Sequence, residues 1–173
     1  FPDFLQKYVK DSNLEVFANG TINYQLKGVN VSVTALWNYE STDGGGDTYN
    51  GKIKGTNASI EIVQNNSVDY IKELFILKDK SIDEQTFDHN IAKAINELQN
   101  SYPYISAEKI SEGKYQIIAP TEFRKGHEDF FGMVADKYFG FLVNRDMPEW
   151  EISNMISKYN TTTRALEMIK NQD

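Results

Sequence analysis

Residues 31–64, VSVTALWNYESTDGGGDTYNGKIKGTNASIEIVQ, decide how the rest of the chain is read. Val31, Val33, Ala35 and Trp37 alternate with Ser32, Thr34, Leu36 and Asn38. That period of two predicts a long strand, about 31–38, with one buried face. Gly44, Gly45 and Gly46 are expected to reverse the chain, because residues without a Cβ take backbone angles closed to others. Residues 49–54 and 58–64 then return as two shorter strands joined by a tight turn at Gly55-Thr56-Asn57. Asp43 and Asp47 flank the glycines at the mouth of this hairpin. A polar loop on a rigid sheet is a common carrier of binding groups.

Upstream, residues 2–9 read as a short helix with Pro2 in its first turn. Residues 14–18 and 21–27 read as a hairpin around Asn19-Gly20, a strong two-residue turn signal. Downstream, 70–77 is an apolar run assigned to a strand. Residues 81–101 form the first long helix, opened by a Ser81-x-x-Glu84 capping box and lined by Phe87, Ile91, Ala94, Ile95 and Leu98. Residues 104–110 and 114–119 make another hairpin across Ser111-Glu112-Gly113. Two further helices, 126–143 and 151–171, carry wide apolar stripes. The expected architecture is a single α+β domain over residues 1–173: two layers, an open and mostly antiparallel sheet of about seven strands, and three long helices packed on one face.

Composition narrows the function classes. The chain has 173 residues and a net charge of −7. An acidic surface without Lys/Arg runs argues against nucleic acid as a partner. With no cysteine, thiol catalysis, disulfides and cysteine-ligated metals are excluded. No apolar run approaches the roughly 18 residues needed to span a bilayer. The first residue is Phe1 and no targeting segment is visible, so the chain reads as a fragment or processed form, and its compartment stays open. Five Asn-x-Ser/Thr sequons carry little weight in an Asn-rich chain.

Strong catalytic signatures are missing: there is no Gly-x-Gly-x-x-Gly, Walker loop, His-Glu-x-x-His or Gly-x-Ser-x-Gly. No cluster has metal-ligand spacing. Two clusters remain. Arg124, Lys125 and His127 stand at the start of the second long helix, where free amides and two cations make a positive spot fit for a carboxylate or a hydroxyl-rich ligand. The plainer alternative is that His127 and Glu128 merely cap and solvate the first turn. At the hairpin mouth, Trp37 offers a flat apolar face beside Asn38, Glu40, Asp47, Thr48 and Tyr49, which is equipment for a sugar. The alternative there is a buried Trp anchoring the sheet.

Four segments carry a resemblance: LKGVNVSVTALWNYE (26–40), GDTYNGKIKGTNASIEIVQ (46–64), GHEDFF (126–131) and MPEWEISNMISKYNTTTRALEM (147–168). In this order they resemble the C-terminal domain of putative oxidoreductases of the glucose-fructose oxidoreductase, inositol dehydrogenase and MocA (Gfo/Idh/MocA) family. The resemblance implies an α+β domain that shapes a substrate pocket and often a subunit interface. It also implies a separate N-terminal Rossmann domain holding NAD or NADP, with hydride transfer to or from a sugar or cyclitol. The nucleotide fingerprint, the family's Glu-Lys-Pro lysine and its Asp-x-x-x-His helix are all missing from these residues. Tyr49 stands where relatives are expected to carry a histidine after Gly46-Asp47-Thr48. The chain is therefore expected to bind no cofactor and to be inactive alone. His127 is the one catalytic candidate, and Arg124, Lys125, His127, Trp37 and Asp47 are the substrate-binding candidates. The expected partners are the missing Rossmann domain, a second copy across the open sheet face and a small sugar or polyol. The alternative function is a non-catalytic carbohydrate-binding or protein-interaction module. A hydrolase pairing Glu128 with Asp47 has no support from spacing.

Overall fold

The computed structural model describes residues 2–14, 17–41 and 44–171. Asp43, one of the two flanking aspartates, lies outside the described residues. The fold is α+β, with seven strands of five or more residues and three long helices among the described residues. The chain divides into two compact units, Phe1–Glu40 with Asp136–Asp173, and Ser41–Ala135.

In the first unit, residues Asp3–Tyr8 form a 3-10 turn rather than an α-helix. Strands β1 (Val9–Lys10) and β2 (Asn13–Leu14) pair across Asp11 and Ser12, both at positive φ. Strands β3 (Gly20–Leu26) and β4 (Val29–Ala35) pair across Lys27 (φ 49°) and Gly28 (φ 81°). Two central residues at positive φ match the right-handed twist of paired strands. The turn is therefore Lys27-Gly28 and not Asn19-Gly20. The Asn19 side chain is occupied elsewhere, its Oδ1 accepting from the Trp37 backbone N–H at 2.6 Å. Leu14 pairs with Val9, and the remainder of the expected 14–18 strand falls partly outside the described residues. Cross-strand pairs fix the register: Thr21 and Thr34 hydroxyls meet at 2.7 Å, and Gln25 donates to Asn30 at 2.9 Å.

The second unit is built on an antiparallel sheet of β5 (Tyr49–Lys54), β6 (Ala58–Gln64), β7 (Glu73–Lys78), β8 (Ser106–Ser111) and β9 (Lys114–Ile118), in the order β5-β6-β7-β9-β8. Helix α1 (Glu84–Leu98) connects β7 to β8, and β9 inserts between them, a split β-α-β unit. Strands β5 and β6 turn at Gly55-Thr56-Asn57 as the sequence indicates, with Gly55 N–H donating to the Ala58 carbonyl. The glycine run, by contrast, is not a hairpin loop. Strand β4 pairs with β3 and β5 with β6, so residues 36–48 connect two different sheets. Gly45 is needed because the Tyr70 ring lies against its Cα, where any Cβ would meet the ring.

Helix α1 buries Phe87 and Ile91 against the face of the sheet that carries Ile117, while Phe75 is buried on the opposite face; these four are the buried apolar residues among those described. Its N-cap is Asp83, whose carboxylate accepts from the Thr86 backbone N–H (2.9 Å) and hydroxyl (2.7 Å). The expected capping box fails because both members are engaged elsewhere. Ser81 Oγ donates to the Thr56 carbonyl, and Glu84 accepts from Gly113 N–H. Asp83→Ala should therefore destabilise by about 1 kcal/mol, and Ser81→Ala by clearly less, in chemical denaturation.

An ionic cluster locks α1 to the β8–β9 hairpin. Lys109 Nζ lies 2.7 Å from Glu84 and 2.6 Å from Asp88, and the Tyr115 hydroxyl donates to Asp88 at 2.9 Å. The hydrogen bond from Lys109 is the main reason that Glu84 and Asp88 are held below the ordinary carboxylate range, and Asp88 in turn is the main reason Lys109 is raised. The carboxylates' contribution is thus present above their ordinary values, about pH 4, and is lost as pH falls through the lower folded values. The Lys109 contribution runs the other way, present below its ordinary value and lost as pH rises through the folded one. Stability measured against pH should fall in acid, and Asp88→Asn should flatten that limb.

The other two helices are α2 (His127–Asn144) and α3 (Glu149–Lys170). The boundary between the units falls within α2, after Ala135. In the first unit Lys137 ties the two helices, 2.9 Å from Glu151 and over the Trp150 ring. No helix of the described residues is long and apolar enough to cross a membrane.

Candidate functional site

Strand alternation sorts the five-stranded sheet into two faces. One carries Ile53, Ile60, Ile62, Leu74, Ile76, Tyr115 and Ile117, and α1 packs on part of it through Phe87 and Tyr115, whose rings meet edge-on at 5.8 Å. The other face is mixed. Along one rung the register reads Lys52, Glu61, Phe75, Gln116, Glu108.

This mixed face is where Arg124 arrives. Strand β9 ends before Pro120, and a 3-10 turn, Thr121–Phe123, carries the chain to Arg124. Its guanidinium lies 3.2 Å from Glu73, which also accepts from Gln116 Nε2 at 2.8 Å. Glu73 and Gln116 are diagonal neighbours on β7 and β9, a spacing long side chains can bridge. The Glu73 side chain is only 13% exposed. Lys52 pairs with Glu61, and Lys114 sits 4.2 Å over the Phe75 ring. An open hollow of about 610 Å³ is lined by Glu61, Glu73, Phe75, Lys114 and Gln116 among others, and Arg124 and Lys52 are tied to it through Glu73 and Glu61.

Chemically the surface offers carboxylate acceptors beside guanidinium, ammonium and amide donors around one aromatic ring. Its cations are met by carboxylates or an aromatic face, so the hollow does not present a bare charge of one sign. Such a set suits a ligand that both donates and accepts hydrogen bonds.

The remaining sequence candidates are placed as follows. Lys125 is exposed, its backbone N–H on the Phe123 carbonyl. His127 opens α2, exposed, with its ring 4.8 Å from Phe131 one turn on. Asp129 accepts from Gly126 N–H at 3.0 Å, closing the first turn. Asp47 is exposed in the connection before β5. These four residues and Arg124 belong to the second unit, whereas Trp37 belongs to the first. Trp37 is 81% exposed, so it is not the buried anchor of a sheet. Sequence reasoning missed Glu73, Gln116, Glu61 and Lys52. The signal was there in ELFILK and KYQII, whose alternation puts Glu73 with Phe75 and Lys114 with Gln116.

Comparison with known proteins supplies the family. Residues 1–170 match the family model described as "Putative oxidoreductase C terminal domain". A crystal structure of a putative oxidoreductase from Parabacteroides merdae ATCC 43184 is similar over 100% of this chain, with 36% identity and a TM-score of 0.88. The chain spans 39% of that protein's length. No curated protein matches. On the whole-chain match, this polypeptide belongs to the family of putative oxidoreductase C-terminal domains.

Proposed function

We propose that this chain is the substrate-shaping and assembly domain of an NAD(P)-dependent oxidoreductase of the Gfo/Idh/MocA type, acting on a sugar or cyclitol. The observation that carries the reading is the Glu73–Arg124–Gln116 cluster on a sheet face, in a chain that matches an oxidoreductase C-terminal domain from end to end. Fixed donors and acceptors beside an aromatic ring can hold several hydroxyls at once, so the ligand is oriented as well as bound. Arg124 would hold a hydroxyl, with Lys125, His127 and Asp47 near the ligand's rim. When bound, the nicotinamide would exchange a hydride with the carbinol carbon.

The nucleotide would be held by an N-terminal Rossmann domain and not by these residues. Two features support that assignment. Every strand pairing among the described residues is antiparallel, and the glycine run leads into β5 where a phosphate cradle needs a helix N-terminus. The isolated chain is therefore proposed to be inactive. A second copy would cover the apolar sheet face beyond α1, where Ile53 is 72% exposed beside Ile60 and Ile62. Light scattering should then return a dimer or larger, and a monomer at all concentrations would remove that element.

The test of the site is Arg124→Gln in the full-length enzyme. Losing a charged hydrogen bond should raise KM for the polyol about tenfold, with the affinity for the nicotinamide cofactor unchanged. An unchanged KM would remove Arg124 from the site.

A further inference from the structure

The first unit contains an apolar groove of about 510 Å³ between the β3–β4 hairpin and α3, lined by Phe17, Ile22, Val33, Trp37, Leu166 and Ile169 among others. Every residue of it lies in that one unit. Phe17 is 64% and Trp37 81% exposed, an arrangement that water penalises and that marks a surface awaiting cover.

Three polar groups of the groove are already engaged. Asn19 Oδ1 takes the Trp37 N–H, the Thr21 hydroxyl meets that of Thr34, and the Thr162 hydroxyl donates into its own helix at Lys158 and Tyr159. A small polar ligand would find few convergent groups to orient it. A second copy is also a poor occupant. A two-fold interface sets the same patch against itself, and two concave grooves face to face leave a void, whereas a head-to-tail contact must close into a ring or run on as a filament. What fits is a protruding apolar element of a different surface.

We infer that this groove seats the N-terminal part of the same polypeptide, with Trp37 as the anchor of the inter-domain contact. The inference rests on family membership and not on the proposed chemistry. The family is a C-terminal domain, and the similar Parabacteroides protein has 61% of its length outside the matched region, as 100% minus the 39% covered. Phe1–Glu40, the N-terminal stretch of the matched residues, belongs to the unit that holds the groove. Covalent attachment to that unit gives the preceding domain a high effective concentration at the groove. An exposed Trp in an apolar trough is also the residue type that most often dominates a contact.

The test is hydroxyl-radical footprinting of the full-length polypeptide, read by mass spectrometry at a dilution where it is monomeric. Trp37 and Phe17 should be modified about fivefold more slowly than expected from their intrinsic reactivity, with Tyr104, 76% exposed in the other unit, as the unprotected reference. Labelling of Trp37 at the rate of the Tyr104 reference would overturn the inference. Protection that appears only where the protein self-associates would assign the groove to a second copy and overturn it equally. A second readout uses Trp37→Asp, which changes a side chain that this unit does not bury. Limited proteolysis of the full-length polypeptide between its N-terminal part and this domain should become about tenfold faster, and an unchanged rate would overturn the seat. Neither readout uses activity, so failure of the sugar-oxidoreductase reading would leave both intact.

Discussion

Phe87→Ala is expected to destabilise the second unit by about 3–5 kcal/mol, enough to unfold a domain of ordinary stability of about 5–15 kcal/mol when combined with mild denaturant. Phe87 is 2% exposed and is the deepest of the four buried apolar residues. Its ring closes edge-on against Tyr115 at 5.8 Å, and the Tyr115 hydroxyl holds Asp88 of the same helix. Truncation therefore opens a cavity and loosens the residue that anchors the ionic cluster. The two effects share a partner and should not be additive with Asp88→Asn. Leu98→Ala, at the exposed end of the same stripe, should cost less than about 1 kcal/mol. Equal denaturation midpoints for the Phe87 and Leu98 variants would contradict this account of the core.

Gly45→Val should be the second large effect, about 1–3 kcal/mol. A Cβ at Gly45 runs into the hydroxyl end of the Tyr70 ring, and that end is held by the hydrogen bond between the hydroxyl and Ser41 Oγ at 2.7 Å. The backbone gives little room, because Asp69 and Tyr70 both sit at positive φ, 49° and 57°. A non-glycine residue in that region is already strained. The variant must push the ring out, break the Ser41 bond or move the connection. Tyr70→Ala in the Gly45→Val background should recover part of the loss, since it removes the obstacle. A double-mutant cycle in chemical denaturation measures this, and strictly additive costs would mean that the ring and the glycine do not oppose one another.

Much of the fold was legible because local signals and tertiary structure agree. Strands β5 and β6 and their Gly55-Thr56-Asn57 turn follow from alternation and turn chemistry, and the Phe87–Ile91 stripe follows from helical period. The failures come where two local signals competed. Asn19-Gly20 is the stronger hairpin dipeptide, yet Lys27-Gly28 makes the turn, because that choice puts Thr21 opposite Thr34 and Gln25 opposite Asn30. Ser81 and Glu84 have capping spacing, but Asp83 lies nearer the first free amides and Glu84 reaches Gly113 instead. The three glycines were assigned to a reversal because their conformational freedom is visible in sequence, whereas the Tyr70 ring against Gly45 is not. Arg124 stood out as a cation in an acidic chain. Its partner Glu73 and the amide of Gln116 did not, since they are 43 positions apart and only sheet register makes them neighbours.

The central proposal is a division of labour, in which this chain shapes the polyol site while a preceding domain holds the nucleotide. Fluorescence titration of reduced nicotinamide cofactor tests it most directly, run on residues 1–173 and on the full-length polypeptide, with circular dichroism to establish that both are folded. The account expects saturable binding by the full-length protein and none by the folded 173-residue chain. Saturable binding by the 173-residue chain alone would contradict it.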